Sequence, residues 1–420
     1  MLKVCKFGGS SLADANQVRK VCDIVLADAA RRVVVVSAPG KRGKGDTKVT
    51  DLLIACADKA QAGAPCEAEL QAVIDRYAEI QRALGLPPAV TETIAADLRR
   101  RAAAPRDHAG MFRDAMKAAG EDNSARLMAA ALRVRGADAV YVDPLAAGMR
   151  LTDEFGNAQL LPESYPLLRA HLQTISGIAI FPGFFGYTKS GAVATFPRGG
   201  SDITGAILAA AVAADTYENF TDVDSVYPVD PRLVPEVKEG IATMTFREMR
   251  ELAYAGFGVF HDEAVLPAVR AGIPVNIRNP IHPDLPGTMV VAKREYDACA
   301  VVGIASDDGF VQIFVSKYLM NREVGFGRRL MQIIEGEGLS WEHMPTGIDN
   351  ISVVIRERKF TAEVERRVLA RIQEELAPDN VLVERGHAII MVVGEGMQYT
   401  VGMAARATRA LAEAQVNIEM

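Results

Sequence analysis

The run Arg32–Ala38, R-V-V-V-V-S-A, is continuous and β-branched, the pattern of a strand buried on both faces of a sheet. Ahead of it, the short apolar run Leu2–Phe7 stops on Gly8-Gly9, and from Asp14 onward Val18, Val21, Cys22 and Val25 mark one helical face. Strand, glycine turn, helix and buried strand together make a unit whose home is a parallel sheet covered by helices. The pattern continues to about residue 292. Helices are expected over Val49–Gln61, Glu67–Leu84, Val90–Ala103, Asp202–Ala214, Phe246–Ala255 and Glu263–Ala271. Strands are expected over Asp138–Val142, Gly177–Phe181, Thr216–Thr221, Val275–Arg278 and Met289–Ala292. The fold class is therefore α/β, a sandwich around a mainly parallel sheet.

After Pro286-Gly287-Thr288 and that last strand, the composition shifts at the charged stretch Lys293-Arg294-Glu295-Tyr296-Asp297. We place a boundary there, giving a first domain over 1–292 and a tail over 293–420. In the tail, Val301–Ala305, Val311–Val315, Ile351–Arg356 and Ala388–Val393 read as strands, and Gly325–Glu337, Glu363–Leu376 and Gly402–Ala414 as helices. Short β-α-β units of this number suggest one or two small regulatory modules.

With 420 residues, 49% of them hydrophobic and 24% charged, the chain is long enough for two or more cores. The net charge of −6 is spread out and no long basic block occurs, which argues against nucleic acid or anionic lipid as a partner. No apolar stretch reaches the roughly 20 residues of a membrane span, and the first residues lack a signal-peptide core, so a cytoplasmic protein is expected. The cysteines Cys5, Cys22, Cys56, Cys66 and Cys299 are odd in number and show no C-x-x-C spacing, as suits reduced thiols rather than disulfides or zinc.

Three segments carry chemistry, each at the end of a strand, where ligands of open α/β sheets usually sit. The first is Lys6-Phe7-Gly8-Gly9-Ser10-Ser11. A glycine turn at a helix N-terminus offers backbone N–H groups to phosphate oxygens, and Lys6 adds a full charge beside them. The same glycines would also serve a plain strand-to-helix connection. The second is Arg198-Gly199-Gly200-Ser201-Asp202, where a permanently charged fork suits a carboxylate and Asp202 is either functional or a helix-capping carboxylate. The third, Thr221-Asp222-Val223-Asp224-Ser225-Val226-Tyr227 followed by Asp230-Pro231-Arg232, could hold Mg²⁺ through water, cradle a nucleotide, or simply turn. Together they read as a nucleotide-dependent phosphoryl-transfer site.

These segments, with Val36-Ser37-Ala38, Thr50-Asp51-Leu52-Leu53, Gly120-Glu121, Gly183-Phe184-Phe185-Gly186, Arg278-Asn279 and Pro286-Gly287-Thr288, resemble the aspartate kinases of the amino acid kinase family over nearly the whole chain. The resemblance implies a three-layer αβα sandwich followed by a pair of ferredoxin-like ACT modules that bind an amino-acid feedback effector and pair subunits into a homodimer. It implies transfer of the ATP γ-phosphoryl group, with Mg²⁺, to the β-carboxylate of L-aspartate, a first step towards lysine, threonine and methionine. Lys6 and Asp202 are the implied catalytic residues. Lys6, Gly8, Gly9, Ser10, Thr221, Asp222, Tyr227 and Arg232 would meet the nucleotide; Ser37, Thr50, Glu121, Phe184, Arg198, Gly200 and Ser201 would surround aspartate. No direct metal ligand is implied.

Two departures stand out. Where the family commonly has Gly-Ala-Lys-Val-Leu-His-Pro, this chain has Gly256-Phe257-Gly258-Val259-Phe260-His261-Asp262, with Gly258 in place of a phosphate-contacting lysine. Lys41, Arg42, Lys44 or Lys48, in a flexible glycine-rich loop, could supply that charge, or form a solvated surface. A catalytically weakened, amino-acid-sensing regulatory subunit is the alternative reading. Pro197 also replaces a usual glycine, and the family runs on past a segment like Val416–Met420, so an incomplete second ACT module is expected.

Overall fold

The computed structural model of the chain describes residues 1–254, 262–296 and 300–419. These fall into two compact units, one of Met1–Arg250 with the stretch ending at Glu295, the other built chiefly from the residues beyond. Gly258 and Cys299 lie outside the described residues.

The larger unit runs β1 (Lys3–Phe7), α1 (Ala15–Leu26), β2 (Arg31–Val36), α2 (Val49–Gln61), α3 (Glu67–Leu84), α4 (Ala89–Ala102) and α5 (Ala109–Val134). It continues through β3 (Ala139–Tyr141), α6 (Pro144–Ala147), α7 (Ser164–Gln173), β4 (Ile178–Pro182), β5 (Phe185–Tyr187), β6 (Val193–Thr195), α8 (Gly200–Val212) and β7 (Thr216–Phe220). It closes with β8 (Thr243–Thr245), α9 (Phe246–Tyr254), of which the residues up to Arg250 belong to this unit, α10 (Leu266–Arg270), β9 (Val275–Arg278) and β10 (Thr288–Val291). One eight-stranded sheet has the order β3-β4-β2-β1-β7-β9-β10-β8, and only the β9–β10 pair is antiparallel. The sheet is the middle of the expected three layers.

Alternation along β1 sorts its two faces. Cys5 and Phe7 join Val34, Val36 and the apolar sides of α1 to α5 in one core, where Phe7 stacks on Phe220 with centroids 4.6 Å apart. Lys6 points to the other face, which α8 covers. The strands end in register: Phe7 pairs with Val36 and Phe220, and Val36 with Pro182. Every loop that follows β1, β2, β4 and β7 therefore leaves from one edge.

The expected helices Val49–Gln61 and Glu67–Leu84 are found with those bounds. The 26-residue α5, the longest helix among the described residues, is not among the helices expected from the sequence. It is buried nearly all round from Phe112 to Leu132, so no polar stripe marks its period.

The smaller unit runs β11 (Gly303–Ser316), α11 (Phe326–Gly336), β12 (Trp341–His343), β13 (Asn350–Arg356), α12 (Ala362–Leu376), β14 (Asn380–Val393) and α13 (Met403–Glu413). Its antiparallel sheet has the order β12-β13-β11-β14, with α11 and α12 packed on one apolar core. This β-α-β-β-α-β path is ferredoxin-like. It differs from the expected short units: the two segments read as Val301–Ala305 and Val311–Val315 are one strand, interrupted by a register shift between Asp307 and Phe310 where Gly309 takes φ +75°. β14 likewise begins at Asn380, ahead of the expected Ala388, because Glu384-Arg385-Gly386-His387 hides an exposed strand behind polar residues.

Candidate active site

The turn after β1 is a single 3-10 turn, Gly9–Leu12, separate from α1. Helix α1 is already capped by Asp14, whose carboxylate accepts from the amides of Asn16 and Gln17. The glycine turn therefore opens into a 3-10 turn and not, as the sequence pattern suggested, directly into a helix N-terminus. A Cβ on Gly9 would lie 2.9 Å from the Ala38 carbonyl oxygen, so the turn is packed against the loop after β2. A Cβ on Gly8 would come to 3.5 Å from Lys6 Nζ, placing the ammonium beside the turn.

Lys6 Nζ lies 2.6 Å from Asp202 Oδ1. Asp202 sits in the first turn of α8 but makes no side-chain cap there. It instead also accepts from Asn219 Nδ2 at 2.8 Å, while Tyr217 donates its hydroxyl to the Asp202 carbonyl at 3.1 Å. Asn219 was not singled out in the sequence; its signal is a buried amide within the apolar strand Tyr217–Phe220. Three segments distant in sequence thus hold one charged pair.

Around α8 the packing is close. A Cβ on Gly200 would lie 2.5 Å from Phe184 Cδ2, and one on Gly183 2.6 Å from Ser201 Oγ. Phe184 has φ +76°, a conformation few side chains adopt, and its amide donates to Thr204 Oγ1 at 3.0 Å. Lys117 Nζ stands 5.7 Å from the Phe184 ring centroid and pairs with buried Asp114 at 2.8 Å. Arg198 is exposed and pairs with no side chain among the described residues.

Glu121 is 6% exposed, and its Oε2 has no hydrogen-bond partner. Burial pushes its carboxyl up to about 8, with the backbone at Ala38 and the charge of Lys117 opposing. A buried acceptor of this kind suits a cationic guest. Ser37, at the end of β2, donates its amide to the Phe7 carbonyl at 3.1 Å, and Thr50 stands half-buried in the first turn of α2.

On the β7 side, the Thr221 amide donates to the Arg278 carbonyl at 2.8 Å and the Val226 amide to Thr288 Oγ1 at 2.8 Å. Asp222 is exposed and accepts from the Thr221 hydroxyl. Asp224 Oδ1 accepts from Asn279 Nδ2 at 2.7 Å and lies 2.7 Å from His282 Nδ1, so this carboxylate ties two loops together. Tyr227 is half-buried, whereas Arg232 is exposed and pairs with Asp230. Among the described residues, no group of three or more His, Cys, Asp or Glu side chains is placed to hold a metal ion.

The profile of the Amino acid kinase family matches residues 1–279, and that of the ACT domain residues 390–420. Aspartokinase 3 of Bacillus subtilis is 55% identical over 419 residues, covering 100% of this chain and 92% of that protein. The crystal structure of Clostridium acetobutylicum aspartate kinase, described as an allosteric enzyme, superposes with a TM-score of 0.85 at 34% identity, covering 100% of this chain and 92% of that one. Escherichia coli aspartokinase III in complex with aspartate and ADP superposes with a TM-score of 0.74 at 28% identity, covering 100% and 93%. The chain belongs to the amino acid kinase family and, within it, to the aspartokinases.

Proposed function

We infer that the chain transfers the γ-phosphoryl group of ATP to the β-carboxylate of L-aspartate, giving 4-phospho-L-aspartate and ADP. The observation that carries this reading is the Lys6–Asp202 pair beside the glycine turn, on the same sheet edge as a buried Glu121 whose Oε2 has no partner and an unpaired Arg198. Family membership supports it, as does the E. coli relative's complex with aspartate and ADP.

The attacking carboxylate is already ionised at neutral pH, so no strong base is required. The chain's task is positioning and charge neutralisation. Lys6 would meet the transferring phosphoryl oxygens, with Asp202 and Asn219 holding its ammonium in place. Gly8, Gly9 and Ser10 would present amides to the phosphates, and Thr221, Asp222, Tyr227 and Arg232 would form the nucleotide side. Glu121 would receive the substrate ammonium and Arg198 its α-carboxylate, with Ser37, Thr50, Phe184, Gly200 and Ser201 lining the rest. Bound with the nucleotide, Mg²⁺ would screen phosphate charge; of the two loop carboxylates, exposed Asp222 would be the one to hold it through water, since Asp224 is engaged by Asn279 and His282.

The regulatory-subunit alternative rests on Gly258 and is not adopted, because the charged groups of the site are present together. We further propose an amino-acid effector at the ACT region, a homodimer, and a cytoplasmic enzyme; no described helix is long and apolar enough to cross a membrane. The test is ADP release with Mg²⁺-ATP against a panel of acidic amino acids, with hydroxylamine present to trap the acyl phosphate. Aspartate alone should yield both ADP and the hydroxamate; ADP release without trapped product would leave only an ATPase.

A further inference from the structure

The loop between β2 and α2 is folded around one carboxylate. Asp46 accepts from Arg76 Nη2 at 2.9 and 2.8 Å and from the Arg42 amide at 2.8 Å, while Arg42 also reaches Glu79 at 2.7 Å. Arg76 itself, on α3, is 5% exposed and donates its Nη1 to the Gly40 carbonyl at 3.0 Å. Gly40 in turn donates its amide to the Gly9 carbonyl at 2.8 Å. The two glycines are in such close contact that a Cβ on Gly40 would lie 2.7 Å from the Gly9 carbonyl carbon and 2.9 Å from the Ser10 amide.

A buried guanidinium is costly unless its donors are used, and here they are used on the loop, on the Gly40 carbonyl and the Asp46 carboxylate. Gly43 and Gly45 leave that loop open to many conformations, and a Cβ at either would meet nothing within 4 Å. The Arg42 guanidinium and amide, with Arg76 adding its charge, hold the Asp46 carboxyl well below the usual range, so the clamp keeps its charge at any physiological pH.

We propose that Arg76 is a positioning residue for the nucleotide phosphates: from α3 it fixes Gly40, and through Gly40 the backbone of the Gly9–Ser10 turn. The role rests on the reading of that turn as the phosphate site. It also removes Arg42 from the loop's spare cations, since Arg42 is spent on Asp46 and Glu79, whereas exposed Lys41, Lys44 and Lys48 pair with no side chain among the described residues. The neighbouring residue on the same helix provides an internal control: Tyr77 donates its hydroxyl to the Gly120 carbonyl at 2.6 Å, next to Glu121 on the aspartate side.

The experiment compares Arg76→Gln, Arg76→Lys, Asp46→Asn and Tyr77→Phe for both KM values, and for Mg²⁺-ADP binding by calorimetry. Arg76→Gln and Asp46→Asn should each raise the ATP KM and the ADP Kd by about tenfold, the size expected for a lost buried charged hydrogen bond, with the aspartate KM within about twofold. The double variant should be no worse than Arg76→Gln alone. Arg76→Lys should recover part of the affinity, and Tyr77→Phe should act on the aspartate KM instead. Should Arg76→Gln fail to fold, Asp46→Asn, in an open loop, decides the matter. Unchanged ADP binding in folded Arg76→Gln and Asp46→Asn would overturn the proposal, as would equal effects on both substrates in all variants. Gly9→Ala separates this from the underlying reading: if it also leaves ADP binding intact, the turn is not the phosphate site, whereas if it alone loses ADP, only the brace is wrong.

Discussion

Lys6 Nζ and Asp202 Oδ1 meet at 2.6 Å across the interface between the central sheet and α8, with side chains 8% and 18% exposed. An ammonium so placed has exchanged most of its water for one carboxylate and an open direction toward the glycine turn. Removing it should cost the charge stabilisation of the transfer step. Lys6→Ala is expected to lower kcat by about 10²–10³ while Asn219 still engages Asp202 and the fold persists. Steady-state kinetics beside a thermal melt check this, and near-normal turnover in a folded variant would remove Lys6 from the reaction.

Arg198 offers a different readout because it is exposed and pairs with no side chain among the described residues, so replacing it disturbs little of the fold. Arg198→Lys keeps the charge and loses the two-pronged geometry. The aspartate KM should rise by about tenfold or more with the ATP KM nearly unchanged. An equal rise in both constants would assign Arg198 to the nucleotide.

How far the sequence reveals this arrangement depends on what each residue advertises. β2 and the helices α2 and α3 are plain in the sequence because their burial is one-sided or continuous in the expected way. Helix α5, which carries Glu121, is masked by its own burial, and β11 by the Ser306-Asp307-Asp308-Gly309 interruption that the strand absorbs as a bulge. At the site, Lys6, Arg198 and Asp202 stand beside glycines and announce themselves. Asn219, Thr204 and Arg76 act through partners 17, 20 and 30 or more residues away, respectively, and no local spacing encodes such contacts. The helix-capping option for Asp202, open from sequence, is closed by a pairing that only the β1–α8 packing creates.

The contact between Gly200 and Phe184 makes the shape of the proposed aspartate side testable. A methyl group at Gly200 would fall 2.5 Å from Phe184 Cδ2 and 3.0 Å from Phe196 Cβ. Phe184 cannot yield easily, since its backbone is at φ +76° and its amide is held by Thr204. Gly200→Ala should therefore destabilise the protein by about 1–3 kcal/mol through overpacking and raise the aspartate KM. Gly191→Ala is the matched control: its φ is +85° but its Cβ would meet nothing within 4 Å. It should cost stability through the backbone alone and leave the aspartate KM unmoved, as a melt and a substrate titration would show.

Glu121 predicts a pH dependence with a definite sign. Its carboxyl is raised from an ordinary value of 4.5 to about 8, chiefly by burial. Between those values the folded state keeps a proton that the unfolded chain has released, so stability must fall as pH rises through that window. The stabilisation is fully present below 4.5 and exhausted above about 8. Substrate acts in the opposite sense, because an ammonium beside Oε2 favours the ionised carboxylate. Aspartate binding should then release a proton from Glu121 below pH 8, and aspartate affinity should climb with pH to about 8 before levelling. Calorimetry in two buffers of different ionisation enthalpy measures that proton directly. Glu121→Gln, neutral at every pH, should bind aspartate weakly and flatten both the affinity profile and this part of the stability profile. A wild-type affinity that is level from pH 6 to 8, with no proton released, would mean that Glu121 does not receive the substrate ammonium.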